Sequence, residues 1–396
     1  MSTLFHPLTV RSVQADTPEA VIVSFEVPQG LRAIFGFTQG QYLTLRTEID
    51  GQDLRRSYSI CAGVDDGELR VGVRKVKGGV FSNWINASLK PGDTIQVMAP
   101  QGRFFVPLDP AARRHHVGIA GGSGITPILS ILKTVLAREP HSQCTLIYGN
   151  RQIRSTMFKE ELEDLKNRYM ARLVLHQVFS DEPSEDGDGP PVAALLSAEA
   201  APAGAAAARR AGGALNRGVM NREKISEFLA TVLPGAGIGE VYICGPFQMN
   251  DEAEAALLAA GVPEQRIHIE RFGVAQPASE QTVEPGTGQM GAVIHQAQPG
   301  DAEVARVLII RDGLRREIEF RHDQPSILDC ATAAGLEVPF SCTSGVCGTC
   351  RAKVMEGQVR MERNFALDKN EVAAGFVLSC QAHPLTERVV LSFDER

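Results

Sequence analysis

Three cysteines, Cys342, Cys347 and Cys350, crowd into nine residues, and a fourth, Cys380, stands well downstream, giving C-x4-C-x2-C-x29-C. No other feature restricts the folding of this chain as much, because four thiolates brought to one loop need something to hold. The spacing is that of a plant-type 2Fe–2S site. Gly345 and Gly348 sit between the ligands, where the backbone must turn tightly and direct N–H groups at sulfur. A structural zinc site is the competing reading. Zinc knuckles, however, pair their ligands two and two, whereas here three come from one loop and one from far away. Eight cysteines in a chain whose start, Met1 to Arg11, lacks an apolar h-region point away from a disulfide framework and towards the cytoplasm. Cys330, Cys61 and Cys144 then read as small buried hydrophobes.

A length of 396 residues is too great for one ordinary core and implies two to three domains. The apolar run Val117 to Leu132 is broken by glycines and Pro127 and is too short to span a bilayer, so no membrane segment is expected. A net charge of −7 without a basic block argues against nucleic acid as a partner. Residues 1–110 read as short strands between turn signals, such as Ala20–Val27, Gln41–Ile49, Leu69–Val76 and Thr94–Met98, which suggests an antiparallel β-barrel. Residues 111–273 alternate strands and helices: His116–Ala120, Thr126–Ala137, Cys144–Tyr148, Phe158–Arg168, Leu173–Phe179 and onward through a helix at Asn250–Ala260. That pattern implies an α/β domain with a parallel sheet. Within it, 181–213 reads as a loop insertion, and 274–300 as a linker rich in Gln, Pro, Gly and Ala. Residues 301–396 open with a hairpin, Arg306–Arg311 and Arg316–Phe320, before a helix capped by Ser326.

Two further motifs suggest nucleotide chemistry. Gly118-Ile-Ala-Gly-Gly-Ser-Gly-Ile-Thr-Pro127 follows a strand and opens a helix. There glycines let a pyrophosphate approach the backbone, and unpaired N–H groups face it. Pro127 stands where the third glycine of GxGxxG would be, and such strings are often mere turns. Upstream, Arg56-Ser57-Tyr58-Ser59 ends a strand, placing an aromatic face beside hydroxyls and a cation, as suits a flat ring system bearing a pyrophosphate. Gly78-Gly79-Val80-Phe81-Ser82 precedes a helix start, a second seat for phosphate. Alone, Arg-x-Tyr-Ser would be read as an ordinary surface strand end. His115-His116 lacks metal-ligand spacing and reads as a strand start.

Gly40-Gln41-Tyr42, Arg56-x-Tyr58-Ser59, Gly79-x-x-Ser82, Gly121 to Pro127 and Cys244-Gly245-Pro246 occur in the order seen in ferredoxin–NADP reductase-like proteins. With the cysteine domain appended, nearly the whole chain resembles the flavin–nucleotide–ferredoxin reductases of bacterial oxygenases. The likeness is greatest to reductases of acyl-CoA ring epoxidases, through Leu54 to Ile60, Leu146 to Arg151, Ile267 to Phe272 and Val377 to Ala382. The resemblance implies FAD, NADPH, a di-iron oxygenase partner and an α+β β-grasp ferredoxin domain. By it, Arg56 would pair with the FAD pyrophosphate, Tyr58 stack on the isoalloxazine, Ser59 lie near flavin N5, and Ser82 cap the helix facing phosphate. Phe272 would cover the other ring face, although a core phenylalanine is an equally good local reading. Cys244 and Glu270 would approach the nicotinamide; locally, Cys244 could be ordinary strand packing. The nucleotide phosphates would sit on Gly121, Gly122, Gly124 and Thr126.

After Tyr148 the chain offers Arg151, Arg154 and Ser155 with no acid until Glu160, so a 2′-phosphate is favoured and NADPH is expected over NADH, with NADH still open. Residues 273–396 carry 17 acidic and 12 basic groups, which points to this end as the partner-facing side. A Rieske-type or steroid hydroxylase partner is the alternative within the class. In another class, the chain would be a redox-sensing or electron-carrier module, which the intact glycine and flavin motifs oppose.

Overall fold

The computed structural model describes residues 4–181, 215–233, 235–272 and 297–395. The insertion expected at 181–213 and the linker expected at 274–300 lie almost wholly outside these described residues. No helix among the described residues is long and apolar enough to cross a membrane. The chain divides into two compact units. One comprises residues 106–269 with 15–20, and the other combines the N-terminal strands with everything from Glu270 onward.

The N-terminal module contains β1 (Phe5–Thr17), β2 (Ala20–Glu26), β3 (Tyr42–Ile49), β4 (Gln52–Ser59), β5 (Leu69–Arg74) and β6 (Thr94–Met98), with helix α1 (Val80–Ser88) after β5. The sheet order is β4-β3-β6-β1-β2-β5, and an Ile60↔Val71 bridge joins its two ends, closing the barrel. Strands β3 and β4 pair from Tyr42↔Ser59 to Ile49↔Gln52 around Asp50-Gly51, both at positive φ, the turn whose twist matches paired strands. Leu8, Leu43, Leu45, Ile60, Val71 and Val97, all fully or nearly fully buried, fill the interior. The sequence reading missed β1, whose alternation weakens towards its polar end.

The nucleotide unit holds β7 (His115–Gly121), β8 (Gln143–Asn150), β9 (Leu173–Phe179), β10 (Glu240–Gly245) and β11 (Ile267–Arg271). Its helices are α2 (Ile125–Arg138), α3 (Lys159–Arg168), α4 (Arg222–Thr231) and α5 (Phe247–Ala259). Sheet order is β11-β10-β7-β8-β9, with β7/β8, β8/β9 and β10/β7 parallel. The chain leaves β7 towards β8 and β9, then returns to its other side. The crevice at the carboxyl ends of β7 and β10 is therefore a topological switch point, where open α/β sheets bind ligands. Helix α5 starts at Phe247, three residues ahead of the expected Asn250, because Pro246 stands at the N-cap and the helix begins directly after it.

The C-terminal module comprises β12 (Val304–Arg311), β13 (Leu314–Arg321), β14 (Arg351–Glu356), β15 (Val359–Met361), β16 (Phe376–Leu378), β17 (Ala382–Pro384) and β18 (Arg388–Ser392). Its helices are α6 (Ile327–Ala333) and α7 (Lys369–Ala373). The main sheet runs β13-β12-β18-β14-β16, with β12 parallel to β18, so the first and last strands of the module lie side by side at its centre. Ser326 caps α6, its Oγ accepting the Asp329 N–H at 3.1 Å. Cys330 on α6 is buried as expected and its thiol donates to the Glu319 carbonyl at 3.1 Å.

The expectation that Ser82 caps α1 is corrected. Gly79 is the N-cap, Ser82 lies one turn in, and its Oγ is occupied by the Val76 N–H at 3.1 Å. A Cβ at Gly79 would come within 3.0 Å of Ser82 Oγ, so the tight turn that excludes a side chain at the cap has drawn the hydroxyl back onto its own loop.

At the end of the parallel sheet remote from the switch point, Glu139 is fully buried and accepts hydrogen bonds from Arg114, from Ser142 at 2.7 Å and from His116 at 2.9 Å. Burial alone would raise this carboxyl, but those donors outweigh it and hold it at about 2. A depressed carboxyl contributes stability that is complete above its unfolded value near 4.5 and drains away as pH falls towards 2. Glu139→Gln should cost about 3 kcal/mol at pH 7 and flatten that acid limb in urea melts taken from pH 7 to pH 3.

Candidate functional site

Backbone shape prepares the cysteine loop for sulfur. Thr343, Gly345 and Gly348 all have positive φ, and the N–H groups of Ser344 and Cys347 point at Cys342 Sγ from 3.5 and 3.4 Å. At Gly345 a Cβ would crowd the Arg363 carbonyl at 3.1 Å, so the turn is closed to other residues. Cys350 and Cys380 are buried, and Cys342 and Cys347 are partly buried, all four as free thiols. Among the described residues no three such side chains converge on one point as a preformed mononuclear site. The hydrogen bond with Cys347, aided by the two backbone N–H groups and opposed by burial, holds the Cys342 thiol well below its ordinary value. Four free cysteines, one of them already met by two backbone N–H groups, form a donor set that fits a 2Fe–2S cluster.

Strand β4 carries the flavin motif, and its alternation divides the work. Arg55, Ser57 and Ser59 face one way. The Arg55 guanidinium lies 4.0 Å from the centroid of Phe340, Ser57 Oγ donates to Ser341 Oγ at 2.9 Å, and Ser59 Oγ donates to Glu270 Oε2 at 3.1 Å. Arg56 and Tyr58 face the other way, with the Tyr58 ring tilted over Phe81 at a centroid distance of 6.1 Å. Burial pushes the Tyr58 phenol up, so it stays a neutral aromatic face. Desolvation pushes the Glu270 carboxyl up to about 8, leaving it protonated at neutral pH. Phe272 is 40% exposed.

The nucleotide unit has its own seat. Between β7 and α2 the chain passes Gly121-Gly122-Ser123-Gly124, with Gly122 at positive φ, and Thr126 Oγ1 donates back to the Ser123 carbonyl at 3.0 Å. A Cβ on Gly124 would stand 2.0 Å from the Cys244 carbonyl oxygen, and one on Gly121 would stand 2.7 Å from Met249 Sδ and Pro246 Cδ. The glycine loop and Cys244-Gly245-Pro246 therefore pack backbone to backbone across the switch point. Cys244 itself is fully buried.

After β8, Arg151 is exposed, Arg154 Nε donates to the Gln152 side chain at 2.7 Å, and Ser155 belongs to a capping box with Gln152. The sequence reading found no acid near here. The structure brings one: the Asp181 N–H donates to the Arg151 carbonyl at 2.9 Å, and Ser180 Oγ donates to the Asp181 carboxylate at 2.6 Å. Nothing in the local sequence could have shown this, because β9 and its register carry Asp181 back to Arg151. The barrel contacts to the cysteine loop were missed as well. Tyr42, one strand from the flavin motif, hydrogen-bonds residues more than 300 positions away.

Known proteins place this geometry in context. Residues 7–106 match the oxidoreductase FAD-binding domain, 119–196 the oxidoreductase NAD-binding domain, and 309–385 the 2Fe-2S iron-sulfur cluster binding domain. A subunit of 1,2-phenylacetyl-CoA epoxidase from Escherichia coli (strain K12) is 40% identical over 394 residues, covering 100% of this chain and 99% of that one. The ferredoxin reductase component of 3-ketosteroid-9-alpha-monooxygenase from Rhodococcus rhodochrous is 31% identical, covering 98% and 96%. Among solved structures, phthalate dioxygenase reductase shares the fold over 98% of both chains, with a TM-score of 0.53 at 21% identity.

Cys342→Ser, Cys347→Ser, Cys350→Ser and Cys380→Ser should each abolish or badly perturb the visible absorption and the reduced-state EPR signal of the cluster. Cys330→Ser should leave both intact, since that thiol serves α6 packing. A requirement for Cys330 together with dispensability of Cys380 would refute the ligand set.

Proposed function

The chain belongs to the oxygenase reductases that carry electrons from NAD(P)H through FAD to a 2Fe–2S cluster, and we propose that the oxygenase it serves is a di-iron phenylacetyl-CoA epoxidase. The observation that carries this reading is end-to-end identity of 40% with the epoxidase protein of Escherichia coli, against 31% with the ketosteroid reductase. The chain would then work in phenylacetate catabolism. We place it in the cytoplasm, where eight free cysteines and reduced nicotinamide persist together.

Flavin supplies the conversion of a two-electron hydride into single electrons, which neither a nicotinamide nor an iron–sulfur cluster performs alone. The chain's own residues would bind and orient. Arg56 pairs with the FAD pyrophosphate, Gly79 and the first turn of α1 with Ser82 line its phosphate seat, and Tyr58 and Phe272 offer aromatic faces to the ring. The Ser59 hydroxyl, which donates to Glu270, and the protonated Glu270 carboxyl are both neutral groups that would lie near flavin N5, so neither sets a fixed negative charge against hydride arrival. Gly121, Gly122, Gly124 and Thr126 seat the nucleotide phosphates, and Cys244 borders the nicotinamide. Cys342, Cys347, Cys350 and Cys380 hold the cluster. The acidic C-terminal module faces the oxygenase, so electron delivery should weaken as salt rises.

Reconstitution decides the partner. Mixed with the oxygenase components of phenylacetyl-CoA epoxidase, the holoenzyme should support epoxidation from NADPH. Turnover only with a steroid or Rieske-type oxygenase would transfer the chain to those systems, and failure to oxidise any nicotinamide nucleotide would favour the electron-carrier reading.

We also propose that NADPH is preferred over NADH, with Arg151, Arg154 and Ser155 receiving the 2′-phosphate. Exposed Arg151 supports this, whereas Asp181 beside it pulls the other way. Arg151→Ala should lower kcat/KM for NADPH about tenfold, with little effect on NADH. An unchanged preference removes Arg151 from the site.

A further inference from the structure

One strand of the flavin barrel grips the two residues that precede the first cysteine of the cluster loop. Strand β4 sets Ser57 Oγ against Ser341 Oγ at 2.9 Å and the Arg55 guanidinium 4.0 Å from the centroid of the Phe340 ring. Phe5 of β1 lies on the same guanidinium, its centroid 5.2 Å away. A single cation therefore joins a ring of the barrel to a ring of the cysteine module.

Arg55 is 8% exposed, and its Nη2 reaches Asp53 at 3.4 Å, while Nε and Nη1 find no acceptor among the described residues. A buried cation ordinarily collects acceptors around its edge. Here the flat faces carry the interaction instead. Only arginine suits such a place, because its guanidinium is planar, weakly hydrated and stacks on aromatic rings, whereas lysine has no face to offer. The segment so held has little else to fix it. Between α6, which ends at Ala333, and Cys342 the chain forms no strand or helix. Pro339 has no N–H to give, and of residues 336–340 only Val338 is buried. Strand β4 also carries Tyr58 and Ser59 of the flavin motif, so whatever Arg55 holds is held in fixed register with the flavin seat.

We propose that Arg55 is a positioning residue for electron transfer from flavin to cluster, because its stack on Phe340 fixes the start of the cluster loop against the flavin strand. In the step it serves, one electron leaves reduced flavin and one arrives on the oxidised cluster, with no bond made or broken. Two such transfers, with release of one proton, return the flavin to its oxidised state for each hydride taken. A misplacement of about 1 Å is enough to cost tenfold or more in a step that depends on held geometry. The inference rests on the reading of Cys342 as a cluster ligand.

The test is flash reduction of the flavin in the full-length holoenzyme, with arrival of the electron on the cluster followed at the visible band of the cluster. Arg55→Met should slow arrival about tenfold, while flavin reduction by NADPH and the EPR signal of the reduced cluster stay as they were. Arg55→Lys, which keeps the charge without the planar face, should be as slow. Phe340→Leu should match Arg55→Met, Phe340→Tyr should keep the normal rate, and the double variant Arg55→Met, Phe340→Leu should be no slower than either alone. Hydrogen exchange gives a readout apart from turnover: in Arg55→Met the amides of 336–341 should exchange faster, with those of β12 and β18 unchanged. Unslowed transfer in Arg55→Met or Phe340→Leu, full rescue by Arg55→Lys, multiplied slowing in the double variant, or unchanged exchange overturns the proposal. Should Arg55→Met fail to hold flavin, Phe340→Leu and Phe340→Tyr decide alone. Absence of a cluster signal in the unsubstituted chain refutes the ligand reading and this inference with it, whereas a normal signal with unslowed transfer refutes only this inference.

Discussion

A strand has two faces, and β4 uses both. Its period of two sends Arg56 and Tyr58 to the side of α1 and Phe81, and Arg55, Ser57 and Ser59 to the side of Phe340, Ser341 and Glu270. The flavin motif and the seat of the cluster loop are therefore the same eight-residue element, read from opposite sides. Partner strand β3 adds Tyr42, whose register opposite Ser59 fixes where the phenol emerges. A one-residue slip in this pairing would exchange the faces and lose both functions at once. The tight Asp50-Gly51 turn that pins the register thus matters far from where it sits.

The nucleotide unit obeys a different constraint, close approach of backbone to backbone. Parallel pairing of β7 with β10 aligns Ala120 with Cys244, so the glycine loop and Cys244-Gly245-Pro246 leave the sheet side by side. Any side chain at Gly124 would occupy the space of the Cys244 carbonyl. The departure from GxGxxG at Pro127 is harmless for the same reason. That position lies within the first turn of α2, where a missing N–H is not needed.

How much of this could be read from the sequence follows the range of the interactions. Spacing pointed to the 2Fe–2S binding domain because three of its cysteines lie in one loop, and the strand–glycine–helix rhythm identified the nucleotide sheet because each unit is local. Turn chemistry located the hairpin at Asp312-Gly313, whereas the Asp50-Gly51 turn between β3 and β4 was not read. What escaped is non-local. Asp181 reaches Arg151 only through the register of β9, Tyr42 meets Cys347 and Thr349 only after two modules fold, and the short strands β14 to β18 carry too few residues for a period to show. Ser82 was misplaced for a local reason. A serine near a helix start is the common cap, and only the crowding at Gly79 reveals that the cap lies earlier.

The chemistry of the dock between barrel and cluster loop is selective. Next to the cysteines it is built from hydroxyls: Tyr42, Ser57, Ser341 and Thr349. Formal charge is kept slightly further out, where Arg55 lies between the rings of Phe5 and Phe340, and Arg103 and Arg351 share Glu371. A hydroxyl both donates and accepts and can rotate its proton towards charge that develops nearby, at little cost. A lysine or aspartate in the same place would favour one redox state permanently and would need a partner to survive burial. An electron relay must favour arrival and departure alike. Neutral hydroxyls beside the cysteines, with cations such as Arg55 held further out against aromatic rings, suit that requirement.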